Sequence, residues 1–204
     1  MSRFGNYCCD KRPYKYTPLP ENWRGTLTLD GYWQSEKYFY GHRKEIVADF
    51  RLKDESWIKT DPVACAIKAE GDKAAFVHVR SYKEVPGQED GACARALFGY
   101  YLKAIRLLQE KVPGMKMFLF SDDIPFAREL LPEYEFVETR AESTVPGQLR
   151  DFTLMRMCKH GIVADSSFSW WAGWLGEQEH GGIRVRPDRR VMNDDFWPER
   201  WLAV

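Results

Sequence analysis

Three short polar clusters in this chain of 204 residues have the chemistry of a charged-ligand site. His78-Val79-Arg80 sets an imidazole beside a guanidinium, whose fixed positive charge and forked donors match phosphate oxygens. Asp122-Asp123 supplies acceptors suited to ribose hydroxyls or to an amine edge. Ser166-Ser167 supplies hydroxyls that, at a helix start, stand beside unpaired backbone N–H groups and favour an anion. Gathered on one rim, the three would hold a nucleotide diphosphate. Each also has a plain reading: His78 and Arg80 as ordinary strand-end residues, Asp122 and the serines as helix caps.

The elements around them decide whether they meet. Ala74-Ala75-Phe76-Val77 reads as a strand ending at His78-Val79-Arg80, and a helical segment runs from about Ala92 to Lys111, where Pro113-Gly114 stops it. Met117-Phe118-Leu119-Phe120 reads as a buried strand, with Ser121-Asp122-Asp123 capping a helix to Leu131. A third round has a helix from about Leu149 to His160, the strand Gly161-Ile162-Val163-Ala164, and Asp165-Ser166-Ser167 capping a helix from Phe168 to about Leu175. Ile183-Arg184-Val185 is a last short strand. Strands alternating with helices, without hairpin turns, predict an α/β fold with a parallel sheet covered on both faces. All three clusters then fall at the carboxyl edge, where open α/β sheets bind ligands.

Earlier in the chain the pattern is weaker. Residues 1–25, with Pro13, Pro18 and Pro20, read as an irregular arm. Thr26-Leu27-Thr28-Leu29 alternates like a short strand, Ser35 is placed to cap a helical run to Phe39, and a second run spans His42 to Phe50. Near the other end, Trp170 and Trp174 lie one helical turn apart, which fits core packing better than sugar stacking. Arg184, Arg186, Arg189 and Arg190 read as a solvated edge.

Composition excludes several classes. With 44% hydrophobic residues, 29% charged and mean hydropathy −0.52, the chain is neither disordered nor fibrous. Thirty basic and thirty acidic side chains cancel, so no global field draws it to nucleic acid or an acidic membrane. No apolar run is long enough to span a bilayer, and the first residues lack the apolar core of a secretion signal. Five cysteines without a C-x-x-C pair, and no H-E-x-x-H, argue against a bound metal and for reduced thiols in the cytoplasm.

The wording of several stretches resembles bacterial α-1,2-fucosyltransferases, glycosyltransferase family 11. Gly31-Tyr32-Trp33-Gln34-Ser35-Glu36-Lys37-Tyr38-Phe39 is similar to the family's G-Y-F-Q-S-E-K-Y-F, and Phe120-Ser121-Asp122-Asp123 to its F-S-D-D. Leu154-Met155 through Cys158-Lys159-His160 is similar to L-M-S-x-C-K-H, Ser166-Ser167-Phe168-Ser169-Trp170-Trp171 to N-S-S-F-S-W-W, and Pro198-Glu199-Arg200-Trp201 to P-E-N-W. The order is kept from about residue 14 to the C-terminus.

That resemblance implies a GT-B-like transferase of two Rossmann-type halves, carrying L-fucose from GDP-β-L-fucose to a galactosyl acceptor with inversion and without an essential metal or other cofactor. Residues 61–204 correspond to its donor-binding domain, and residues 1–60 to an arm and a remnant of the acceptor-side half. By the same resemblance the donor site comprises His78, Arg80, Asp122, Asp123, Asp151, Ser166, Ser167 and Phe168. Asp151 matches the family's guanine-holding aspartate, and its carboxylate is a sound acceptor for the guanine N1–H and amino group. No D-x-D is present for a metal, so the diphosphate charge falls to Arg80 and the serine-tipped helix. Glu36, Glu84 and Asp122 all qualify as the base, and Arg80, Glu84 and Asp122 form the expected catalytic set.

Two departures open an alternative. The family's H-x-R-R-G-D-Y reads His78-Val79-Arg80-Ser81-Tyr82-Lys83-Glu84, which loses the second arginine and the aspartate and leaves Lys83, a point charge, and Glu84 as imperfect substitutes. The Gly-rich segment G-G-L-G-N-Q-x-F-Q is absent, and Gly5-Asn6 does not replace it. A nucleotide-sugar-binding module that is weakly catalytic, or that needs a second copy or a partner chain, therefore stands beside the enzyme reading.

Overall fold

The computed structural model describes residues 6–10, 15–137, 139–140, 143–188 and 195–204. By internal contacts the chain divides into two units, residues 1–45 with 189–200, and residues 46–188 with 201–204.

In the first unit, β1 (Asn6–Cys9) pairs in parallel with β2 (Leu27–Asp30), Cys8 opposite Leu29. The N-terminal arm expected to be irregular thus contains a strand. Its pairing partner lies some twenty positions along the chain, and no local alternation announces such a contact. Ser35 does cap, its hydroxyl accepting from the Lys37 N–H at 3.3 Å, but the element it opens is one 3-10 turn, Glu36–Tyr38. A second turn at Tyr40–His42 leads into α1 (Arg43–Asp49).

The second unit carries the sheet. Asp61 caps α2 (Pro62–Glu70), accepting from Val63 and Ala64 N–H, with proline at the first helical position where its missing donor costs nothing. This helix lies outside the elements expected from the sequence. The chain then forms β3 (Ala74–Val79), the paired helices α3 (Ala92–Ala96) and α4 (Phe98–Lys111), and β4 (Lys116–Ser121). The single helix expected over 92–111 breaks at Leu97, whose φ of −95° and ψ of 4° leave the helical range. Next come α5 (Ile124–Leu130), α6 (Gly147–Met157), β5 (His160–Ile162), α7 (Ser167–His180), β6 (Arg184–Arg186) and β7 (Leu202–Ala203).

The five strands lie in the order β4-β3-β5-β6-β7, all parallel. β3 is buried along its whole length, as a strand covered on both faces must be. The chain leaves β3 for β4 on one side, then returns to place β5 on the other. That reversal opens a crevice at the carboxyl ends of these strands. β5 pairs with β3 so that Gly161 lies opposite Phe76, whose ring leaves no room for a Cβ.

Tryptophans 170 and 174 are buried and stack with centroids 6.3 Å apart, while Trp171 stacks on Phe50 at 4.9 Å. Arg184 corrects the expected solvated edge. It is 1% exposed, and its guanidinium donates to the Gly173 and Lys159 carbonyls at 2.8 and 2.7 Å, so neighbouring backbone replaces water around the charge. Arg186 is half-buried, and Arg189 and Arg190 lie outside the described residues.

Candidate functional site

A cavity of about 760 Å³ opens at the carboxyl ends of β3 and β4. Its lining includes His78, Arg80, Glu84, Asp122, Asp123, Asp151 and Phe168 from the expected set, together with Ser81, Lys83 and Gln148. Ser166 and Ser167 are not among the lining residues, although Phe168 directly follows them. Ser166 occupies the cap position of α7 without a side-chain bond. The hydroxyl that works at this helix start is Ser169, which accepts from the Ala164 N–H at 3.1 Å.

Each side chain is set by the strand end before it. Asp123 caps α5, accepting from the Phe126 N–H at 3.0 Å, and takes the Lys83 ammonium at 2.9 Å. Lys83 also stands 4.3 Å over the Phe126 ring. Asp122 accepts from the Ser81 N–H at 2.8 Å, from the Ser81 hydroxyl and from Arg80. Burial pushes the Asp122 carboxyl up, but the Ser81 bonds and Arg80 outweigh it and hold the group below the usual carboxylate range. Arg80 shares its remaining donors with both oxygens of Glu84, and that bonding keeps Glu84 low as well.

Between them Tyr82 adopts a φ of 59°, a left-handed conformation that glycine takes freely and tyrosine at a cost. The similar family sequence has glycine at this turn. Here the tyrosine is retained by two contacts, its hydroxyl donating to the Asp165 carbonyl at 2.6 Å and its ring lying 4.7 Å beneath the Arg80 guanidinium. The turn presents the Ser81 amide and hydroxyl to Asp122.

His78 is 4% exposed, its Nδ1 buried with no hydrogen-bond partner among the described residues. Burial lowers its pKa to about 4, so the ring is neutral at ordinary pH. It lines the cavity 5.9 Å from the Phe168 ring. Asp151 differs from the other carboxylates. Burial pushes it up to about 6 against the opposing Arg150 and Arg140, and Arg150 Nη1 approaches its Oδ1 only to 3.8 Å. The lining therefore holds two cations, Arg80 and Lys83, against the four carboxylates Glu84, Asp122, Asp123 and Asp151.

A second cavity of about 620 Å³ shares Ser121 and Asp151 with the first and is walled by Thr139, Arg140 and Arg150. Nothing local in the sequence announces it, since Arg150 carries no mark of burial. Glu36, a candidate base, lies in the other unit. It is buried, pairs with Arg200 at 2.6 Å and lines a separate cavity of about 240 Å³. Among the described residues no group of three or more His, Cys, Asp or Glu is placed to hold a metal ion.

With this geometry established, comparison with known proteins decides the kinship. A family model described as Glycosyl transferase family 11 matches residues 9–199. The chain belongs to that family. An Alpha-1,2-colitosyltransferase of Escherichia coli is 28% identical over 200 residues, covering 89% of this chain and 63% of the relative. The O-antigen biosynthesis glycosyltransferase WbnK, also of Escherichia coli, is 32% identical over 181 residues, covering 86% of this chain and 55% of the relative. This family 11 chain thus spans less than two thirds of the length of those relatives. No solved structure matches it. Among the described residues no helix is long and apolar enough to cross a membrane.

Proposed function

We propose that this family 11 chain is the donor-binding part of an inverting, metal-independent α-1,2-fucosyltransferase acting on GDP-β-L-fucose and a galactosyl acceptor. The convergence of His78, Arg80, Asp122, Asp151 and Phe168 on one cavity at the carboxyl edge of a parallel sheet carries the reading. The guanine places its N1–H and amino group against Asp151, a carboxylate that takes no hydrogen bond from the described residues. The diphosphate lies against Arg80, with Lys83 as the second cation and the α7 N-terminus beyond Phe168 adding its dipole.

Arg80 is engaged by two carboxylates before donor arrives, and these differ in what they lose when it turns to the phosphates. Asp122 keeps the Ser81 N–H and hydroxyl. Glu84, with 57% of its side chain exposed, keeps no side-chain donor among the described residues. Donor binding therefore releases Glu84 as the base. Its carboxylate takes the proton of the acceptor hydroxyl, whose oxygen attacks the anomeric carbon opposite the diphosphate. The carbon–oxygen bond to the diphosphate breaks, and GDP leaves with its charge met by Arg80 and Lys83.

A colitosyl donor is a second reading, favoured by the colitosyltransferase relative. The acceptor side is completed by further polypeptide, a second copy or a partner chain, in keeping with the share of its relatives that this chain spans. The cytoplasm, a reducing compartment, suits five free cysteines.

Calorimetric titration with GDP and UDP tests the donor site. GDP should bind at least tenfold more tightly, and equal or absent GDP binding overturns the proposal. Turnover of GDP-fucose with a panel of β-galactosides, with product analysis, tests transfer. Hydrolysis or binding without transfer leaves the nucleotide-sugar module as the answer, and preference for GDP-colitose moves the donor assignment.

A further inference from the structure

Beneath Asp151 lies a buried ion pair that the transfer chemistry does not use. Arg150, 3% exposed along its side chain, donates from Nε to Asp61 Oδ2 at 2.7 Å and from Nη2 to Asp61 Oδ1 at 3.2 Å. Its third arm donates to the Thr139 carbonyl at 2.6 Å, and the Thr139 hydroxyl is anchored on the Leu119 carbonyl of β4. Asp61 meanwhile caps α2 through the Val63 and Ala64 N–H groups. One guanidinium thus ties α2, α6 and the segment between α5 and α6 together at the wall of the second cavity.

The geometry has a specific consequence for its neighbour. Arg150 sits 3.8 Å from Asp151 yet spends its fork on Asp61, so the Asp151 oxygens stay open to both cavities. Were Asp61 uncharged, the strongest remaining partner for the guanidinium would be Asp151 itself, which would be occupied in place of a ligand. We propose that Asp61 and Arg150 are a positioning pair for nucleobase recognition: Asp61 holds the Arg150 fork away from Asp151, which leaves the Asp151 oxygens open to the base with the guanidinium beside them as an unbonded charge. This rests on the reading that Asp151 accepts from the base.

The groups facing Asp151 are Arg150 on its own helix, Arg140 on the segment between α5 and α6 and Asp61 at the α2 cap. Arg80, Lys83, Glu84, Asp122 and Asp123 line the first cavity with it. Arg150 favours its ionised form and Asp61 opposes it.

The test titrates GDP-fucose, whose phosphodiester groups stay ionised from pH 5 to 8, into the wild-type chain and into Asp61→Asn, Arg150→Gln and Asp151→Asn. In the wild type, affinity should rise with pH through a midpoint near 6, the pKa of Asp151. Arg150→Gln should move that midpoint up and Asp61→Asn should move it down, each by about half a pH unit or more. Asp61→Asn should in addition lower the affinity reached above the midpoint several-fold, because the freed fork then occupies Asp151. Unmoved midpoints in both variants, with lower thermal stability alone, overturn the proposal and leave the pair as scaffold. Should Arg150→Gln not fold, the isosteric Asp61→Asn decides by itself. Asp151→Asn separates the two levels. If it binds GDP-fucose like the wild type at pH 7.5, the nucleobase reading fails, whereas a loss of tenfold or more with unmoved midpoints elsewhere refutes only the positioning pair.

Discussion

Replacing Glu84 with Gln should move donor affinity and turnover in opposite directions. Glu84 takes two of the contacts that Arg80 makes, and its side chain is 57% exposed against 24% for Arg80. An exposed pair of this kind contributes little, so its removal should tighten GDP binding by up to about fivefold. Turnover should behave otherwise, since a lost general base costs about a hundredfold or more in rate. Calorimetry with GDP gives the first quantity, and fucose transfer to a β-galactoside under saturating donor gives the second. Arg80→Ala is the reference: it leaves Glu84 without its cation and Asp122 with the Ser81 bonds alone, and removes a charge-assisted contact worth about 2 kcal/mol, so GDP affinity should fall about thirtyfold. If Glu84→Gln weakens GDP binding, or transfers at the wild-type rate, the competition between Glu84 and phosphate for Arg80 is wrong.

The remaining predictions concern stability. Trp174→Ala removes a fully buried ring from the stack on Trp170 and should destabilise by about 4 kcal/mol in urea unfolding, and a loss below about 1 kcal/mol would refute the core assignment. Asp151→Asn should do the reverse at neutral pH. Burial raises the Asp151 pKa from 3.8 to about 6, so the folded state holds its proton more tightly than the unfolded chain, and stability is lost as pH rises from about 4 through 6. Asparagine removes that loss, giving about 1 kcal/mol more stability at pH 7.5 once screening of a carboxylate 34% exposed is allowed for, with no gain at pH 4. His78, held at about 4 below its ordinary 6.5, contributes with the opposite sign, its share being lost as pH falls, and cancels between the two proteins.

The alternation of short apolar runs with helical segments was enough to read β3, β4, β5 and β6 as strands of one parallel sheet. It also set His78, Arg80, Asp122 and Asp123 at strand ends, because local periodicity and caps act over a few residues. Ser166 shows the limit of such signals: it takes the cap position the sequence marks but makes no side-chain cap bond, while Ser169 accepts from the Ala164 N–H ahead of the helix. What only the tertiary structure decided depends on contacts far apart in the chain. Asp61 and Arg150 are 89 positions apart, Arg80 and Asp122 are 42, and β7 is two residues long with no pattern of its own. Charged side chains look alike on a sequence whether they face water or a buried partner. Arg184 and Arg150 were therefore indistinguishable from surface arginines until the neighbouring carbonyls and the Asp61 carboxylate were in place to replace their water.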